Sequence, residues 1–191
     1  MTSILVTGGT GFIGSHTCLL LLEKGYEIFV VDSFINSSYK SLNKVLITLE
    51  KMNLFRKDRL HLLKGDLRIV DDIEKVFQYS LEINKPISSV IHFAGLKSTI
   101  ESCEEPAKYW ESNVGGTINL LRIMEKYNCK NIVFSSSASV YKASSKNLLK
   151  ENDICEPINP YGNTKLAIEK ILSDIYTSQP SSWRIACLRY F

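Results

Sequence analysis

A short, β-branched run, Ile4-Leu5-Val6-Thr7, leads into Gly8-Gly9-Thr10-Gly11-Phe12-Ile13-Gly14, and residues 12–24 then read as a buried helix stopping at Gly25. Strand, glycine turn and helix in that order limit the possible folds more than any other feature of the chain. A tight strand-to-helix turn needs glycine backbone angles, and the missing side chains let a pyrophosphate reach the backbone. The helix that follows offers free N–H groups and the positive end of its dipole. Gly9-x-Gly11-x-x-Gly14 has the nucleotide-binding spacing, and Gly8, Gly11 and Gly14 recur at every third position. Such a motif is weak evidence alone, and a glycine-rich turn without a ligand is the bland alternative. Its place after a strand and at the start of a βαβ unit favours the nucleotide.

Strand-length apolar runs alternate with helical patterns to the end of the chain. Strands are expected at 4–7, 27–32, 60–64, 89–93, 131–135 and 183–190, and helices at 12–24, 41–53, 69–84, 105–127 and 161–178. Residues 142–160 are polar and read as a surface loop. This alternation implies βαβ units: an α/β fold with a doubly wound parallel sheet and helices on both faces. The strands are nearly continuous apolar runs, as strands buried on both faces should be.

Composition narrows the function. Apolar residues make up 45% of the 191, charged residues 23%, and the net charge is +3, which suits a globular domain and argues against disorder. The charge is too mild to point to nucleic acid or an anionic membrane. No apolar run reaches the ~20 residues of a membrane helix, and Met1-Thr2-Ser3-Ile4 lacks a basic leader, so no signal peptide is expected. Cys18, Cys103, Cys129, Cys155 and Cys187 are odd in number and form no C-x-x-C pair. They read as reduced thiols of a cytoplasmic protein. His16, His61 and His92 share no metal-ligand spacing, and no metal is expected.

Three further features carry chemistry. Asp32 ends the second strand eighteen residues after Gly14, where a carboxylate can accept from adenosine ribose hydroxyls and repel a 2′-phosphate. The alternative is a turn cap, and Asp66 after the third strand is equally open between a role near the adenine and a turn. Tyr161 and Lys165 are four apart on a helix and share a face. A nearby ammonium would favour the phenolate of Tyr161, which could then take a proton from a substrate hydroxyl. Ser137, in Phe134-Ser135-Ser136-Ser137-Ala138, sits at the carboxyl end of a parallel strand and could bond the same substrate oxygen. Ser135 and Ser136 read as capping residues.

With these residues in place the chain resembles the N-terminal part of the extended short-chain dehydrogenase/reductases and, within them, the UDP-glucose 4-epimerase family. The matching segments are residues 6–17, Val90-Ile91-His92-Phe93-Ala94-Gly95-Leu96-Lys97, Phe134-Ser135-Ser136-Ser137-Ala138, Pro160-Tyr161-Gly162-Asn163-Thr164-Lys165 and Leu188-Arg189-Tyr190-Phe191. The resemblance implies a Rossmann fold over residues 1–191, bound NAD, a UDP-sugar substrate and a redox epimerisation through a 4-keto sugar. It implies that Gly8, Gly11, Phe12, Ile13 and Gly14 meet the pyrophosphate, that Asp32, Asn36 and Ser37 hold the adenosine ribose, and that Asp66 with Leu67 meets the adenine. Phe93, Ala94, Gly95 and Lys97 would pass along the cofactor, with Asn113 supporting their loop. Ser137 and Tyr161 would face the sugar, Lys165 the nicotinamide ribose, and Phe191 the nicotinamide end.

Lys142 and Ile100 stand where the family has glycine. The related 4,6-dehydratases place an acidic pair where this chain has Ser137-Ala138-Ser139, which disfavours dehydration; a non-catalytic NAD-binding module is the other alternative. The family continues past Phe191 into a domain that grips the nucleotide sugar, so the 191 residues alone are expected to bind NAD weakly and to lack epimerase activity. The family also pairs helices 105–127 and 161–178 in a homodimer. Leu120, Leu121, Ile123, Met124, Leu166, Ile168, Ile171, Leu172 and Ile175 exceed one core-facing stripe, with burial inside the monomer as the alternative.

Overall fold

The computed structural model describes residues 2–54, 56–142 and 148–191. Six strands, β1 (Ser3–Thr7), β2 (Glu27–Asp32), β3 (Leu60–Lys64), β4 (Ile87–His92), β5 (Asn131–Ser137) and β6 (Arg184–Tyr190), form one sheet in the order β3-β2-β1-β4-β5-β6. Every pairing is parallel. The helices between them are α1 (Phe12–Glu23), α2 (Lys40–Lys51), α3 (Val70–Glu82), α4 (Thr99–Glu104), α5 (Pro106–Tyr109), α6 (Gly116–Lys126) and α7 (Pro160–Ser178). None is long and apolar enough to cross a membrane.

The period-two alternation of β1 and β2 divides their side chains between two cores. Ile4, Val6, Ile28 and Val30 pack with Cys18 and Leu22 of α1 and Leu42, Val45 and Leu49 of α2. Leu5, Phe29 and Val31 face the other way, toward Val76 and Phe77 of α3, Leu120 and Met124 of α6, and Ile168 and Leu172 of α7. Both strands are buried along their whole length. At the amino end of the sheet the buried Glu27 carboxylate is paired on both oxygens, with His61 Nε2 at 2.7 Å and Lys85 Nζ at 2.6 Å. A charge held there without partners would cost several kcal/mol.

The chain leaves β1 toward β2 and β3, then crosses to β4 on its other side. That reversal opens a crevice at the carboxyl ends of β1 and β4, where ligands of doubly wound sheets bind.

The helix expected at 105–127 runs without a gap from Pro106 to Lys126, as α5, a π-helical turn and α6, and its start is set by Glu105. Glu105 has φ −126° and ψ 58°, a non-helical geometry imposed by the following Pro106. A separate helix, α4, precedes it, capped by Ser98 Oγ, which accepts from Glu101 N at 3.2 Å. Between α5 and α6, Trp110–Gly115 forms a π-helical turn. The wider turn presents Asn113 to the loop after β4, where its amide is fully used. β5 extends to Ser137 rather than 135 because Ser135, Ser136 and Ser137 pair with Leu188, Arg189 and Tyr190 of β6.

Candidate active site

One cleft runs along the carboxyl edge of the sheet and gathers most of the residues expected from sequence. It is lined by Gly8, Gly11, Phe12, Ile13 and Gly14 at the first turn, Asp32, Asn36 and Ser37 after β2, and Asp66 and Leu67 after β3. Phe93, Ala94, Gly95 and Lys97 follow after β4, with Ser137, Tyr161 and Lys165 at the far end. Ser135, Ser136, Leu96 and Tyr190, from the segments that carry the resemblance, also line it, as do Val31, Ser33, Ile35, Gly65 and Ser112, which no motif announced.

The first turn fits a pyrophosphate. Gly8 has φ +68°, and a Cβ there would lie 2.7 Å from the backbone nitrogen of Ala94. A Cβ on Gly14 would run into the Gly8 carbonyl. The α1 N-cap is Gly11, so no side chain consumes the first-turn N–H groups. Phe12 is 77% exposed beside them, an apolar side chain that a bound dinucleotide would cover.

Asp32 realises the turn role. Its Oδ1 accepts from Phe34 N at 3.0 Å and Ser37 Oγ at 2.7 Å, and its Oδ2 from Thr10 N at 3.0 Å. These bonds hold Phe34 at φ 60°, an uncommon conformation for a bulky residue. A carboxylate has about four lone-pair sites, so Oδ2 keeps capacity for a ribose hydroxyl. Ser37 is engaged twice, since it also accepts from Thr10 Oγ1 at 2.8 Å. Asp66 is held by the Arg68 guanidinium at 2.6 Å, and the hydrogen bonds from Arg68 draw its pKa below the ordinary range.

At the other end, Ser137 accepts from Ser139 N at 3.1 Å and caps the short turn Ala138–Val140. Tyr161 lies in the first turn of α7, which starts at Pro160 behind the Asn159 cap, whose Oδ1 accepts from Gly162 N at 2.8 Å. Lys165 is buried, and its Nζ donates to the Ser135 carbonyl at 2.8 Å. The amine lies 4.8 Å from the Phe134 ring centroid and 5.8 Å from that of Tyr161. Burial lowers the Lys165 pKa to about 8. Tyr161 is raised above its ordinary value, because burial outweighs a hydrogen bond with Ser137 that lowers it. The expected lowering by Lys165 is not among its causes.

Ser135 and Ser136 are not caps. The Ser135 carbonyl anchors Lys165, and Ser136 Oγ donates to Glu169 on α7.

Two expected residues lie off the cleft. Asn113 works beneath its wall: its Oδ1 accepts from Leu96 N at 2.8 Å, and its Nδ2 donates to Leu96 O at 3.0 Å and Thr164 Oγ1 at 3.1 Å. Phe191 is stacked on Tyr141 with centroids 6.4 Å apart. Tyr190, the last residue of β6, lines the cleft, and Phe191 lies beyond the end of the strand.

A buried chain that sequence reasoning missed supports the loop after β4. Thr7 Oγ1 accepts from Ala94 N at 3.3 Å and meets His92 Nδ1 at 2.7 Å. His92 Nε2 meets Thr117 Oγ1 at 2.9 Å, which donates to the Asn113 carbonyl at 2.6 Å. Burial lowers the His92 pKa to about 3, so the ring is neutral. The sequence signal was a histidine on a strand inside a segment that carries the resemblance, and neither points to Thr7 or Thr117.

Of the positions that depart from the resemblance, Lys142 pairs with Glu156 at 2.7 Å, and Ile100 stands exposed on α4. Neither takes a positive φ.

Fold and cleft together define a doubly wound α/β domain whose ligand crevice has a phosphate cradle at one end and a buried Ser-Tyr-Lys cluster at the other. The chain belongs to the NAD dependent epimerase/dehydratase family, which it matches over residues 4–191. It is 45% identical over 188 residues to a bifunctional UDP-glucose 4-epimerase and UDP-xylose 4-epimerase 1 of Pisum sativum, covering 98% of this chain and 51% of that protein. It is also 45% identical over 189 residues to UDP-glucose 4-epimerase of Bacillus subtilis (strain 168), covering 99% and 52%. Among solved structures, UDP-glucose 4-epimerase from Bifidobacterium longum in complex with NAD+ and UDP superposes with TM-score 0.87 at 42% identity, over 100% of this chain and 53% of that one. The chain spans about half the length of the curated relatives it matches.

Proposed function

We propose that residues 1–191 are the NAD-binding domain of a nucleotide-sugar 4-epimerase that interconverts UDP-galactose and UDP-glucose through a 4-keto sugar. The observation that carries this reading is the single cleft joining the glycine cradle to Ser137, Tyr161 and Lys165. The Gly8–Gly14 backbone and the α1 N-terminus would hold the pyrophosphate, Asp32 a ribose, Asp66 and Leu67 the adenine edge, and Lys165 the second ribose. Phe93, Ala94 and Gly95 would form the wall, with Lys97 toward the phosphates. Bound there, NAD supplies a hydride acceptor that also gives the hydride back, and a positive ring.

Tyr161 takes the proton of the sugar 4-hydroxyl onto its phenolate oxygen as C4 becomes a carbonyl, and returns it in the reverse step. Ser137 bonds the same oxygen and favours the phenolate, while burial opposes it. Among the described residues, the carboxylates that line the cleft, Asp32 and Asp66, lie at the cradle end, which favours epimerisation over dehydration.

The relatives, named as UDP-glucose 4-epimerases over half of whose length the chain aligns, support the substrate class. The test is conversion of UDP-galactose by the longer natural protein and its Tyr161→Phe variant. Loss of ~10²- to 10⁴-fold in rate with NAD retained is expected, and a variant within threefold of the parent would place the base elsewhere.

A cytoplasmic location and a homodimer complete the reading. Free cysteines, among them the buried Cys18 and Cys129, support the first. For the dimer, Leu120, Leu121, Ile123, Met124, Ile168 and Leu172 are consumed by the monomer core, so they lend it nothing. Half-buried Ile171 and Ile175 also pack against that core, so support comes from half-buried Leu166 and exposed Tyr176 on α7.

A further inference from the structure

A second polar cluster lies directly behind Ser137, Tyr161 and Lys165. Arg189 of β6 grips the Glu169 carboxylate of α7 in a fork, Nε to Oε1 at 3.0 Å and Nη2 to Oε2 at 2.7 Å. Ser136 Oγ donates to the same Oε1. The remaining Arg189 nitrogen, Nη1, donates to Tyr141 Oη at 2.9 Å and to the Glu151 carbonyl at 3.0 Å. The side chains are only 11% (Glu169) and 21% (Arg189) exposed. Desolvation offsets much of the attraction in such a pair, so stability is a poor reason for it. Two-pronged geometry, by contrast, fixes orientation.

The orientation it fixes belongs to α7. Tyr161, Lys165 and Glu169 recur every fourth residue on one helix face. Two of them are tied to the serine run at the end of β5, Lys165 to the Ser135 carbonyl and Glu169 to the Ser136 hydroxyl, and Tyr161 lines the cleft with Ser137. Glu169 alone of the three is also clamped from the neighbouring strand.

We propose that Glu169 and Arg189 are a positioning pair, setting α7 against the carboxyl end of β5 so that Tyr161 is held beside Ser137 at the cleft. Neither residue lines the cleft. Through Tyr141 and Glu151 the pair also fastens the segment that follows β5 to the same unit. The inference rests on the proton-transfer role proposed for Tyr161.

The test is the titration of Tyr161 itself, read by NMR in protein carrying 13Cζ-labelled tyrosine, with the Tyr161→Phe variant assigning its signal among the nine tyrosines. The charged groups set around Tyr161 are Lys165 on its own helix and the Glu169–Arg189 pair. Replacing both members (Glu169→Met with Arg189→Met) removes one charge of each sign, so a shift reports geometry rather than net charge. An upward shift of about one pKa unit is expected, as Tyr161 is displaced from Ser137 and the polar end of β5. Arg189→Lys keeps the charge and the fold but loses the fork, and an upward shift of about half a unit is expected. Tyr161 titrating as in the parent in either variant would overturn the positioning role. Failure of the underlying reading shows separately, as unchanged turnover of Tyr161→Phe in the longer protein.

Discussion

Lys165 combines burial, a donated hydrogen bond and a lowered pKa, and its charge state follows from their balance. Its pKa falls from an ordinary 10.5 to about 8 through burial. Between those values the unfolded chain binds more protons than the folded one. The cost of burying the ammonium is therefore fully present below pH 8 and is relieved as pH rises toward 10.5. Lys165→Met removes that cost, so its stability advantage over the parent should shrink by roughly 2 kcal/mol between pH 7.5 and 10. Urea unfolding of both proteins at the two pH values measures this, with tyrosine and cysteine titrations cancelling in the difference; a flat difference would mean the amine is solvated. Tyr161 differs, because burial alone would suppress its ionisation. Ser137 opposes burial within the protein, and the positive ring of NAD would add to it. Its titration should therefore move downward when NAD is bound, and an unchanged titration would separate Tyr161 from the cofactor end of the cleft.

The first βα unit was the most legible element, because its signal is local. Glycine spacing, a β-branched strand and a capped helix all lie within 25 residues of the amino end. Gly8→Ala should weaken NAD binding at least tenfold, a loss of ~1.4 kcal/mol. The substitution strains a left-handed backbone and drives a Cβ onto Ala94 N. Calorimetric titration would show this, and parent-like affinity would remove the turn from the site. The π-helical turn between α5 and α6 was not legible. Asn113 reads as a polar helix residue, and only tertiary structure brings Leu96 and Thr164 to its amide. Asn113→Ala leaves the Leu96 N–H and carbonyl without partners in a buried place, which should cost about 2 kcal/mol or more in thermal or urea unfolding. A change below about 0.5 kcal/mol would show that the loop is held by other contacts. Phe191 was misplaced for a simpler reason. β6 ends at Tyr190, which lines the cleft, and the sequence did not show that Phe191 falls beyond the strand.

For the whole molecule, the doubly wound parallel sheet followed from the alternation of strands and helices, and a crevice at its carboxyl edge followed from that fold; the strand order came only with the structure. Which apolar residues serve the interior and which a partner did not follow, because periodicity measures hydrophobicity and not what covers it. Sedimentation at high concentration should give a dimer of the 191 residues; a monomer throughout would make Leu166 and Tyr176 ordinary surface of the monomer. Assayed alone, the 191 residues should leave UDP-galactose unconverted, because they supply one wall of a pocket that must enclose and orient the sugar nucleotide. Turnover within tenfold of ordinary enzyme rates would show that these residues suffice. The central claim, that the cleft is an NAD site whose Asp32 reads the ribose, is tested most directly by calorimetric titration of the chain with NAD and with NADP. Saturable binding of one NAD, at least tenfold tighter than NADP, is the result expected; no saturable binding, or equal affinity for the two, would contradict it.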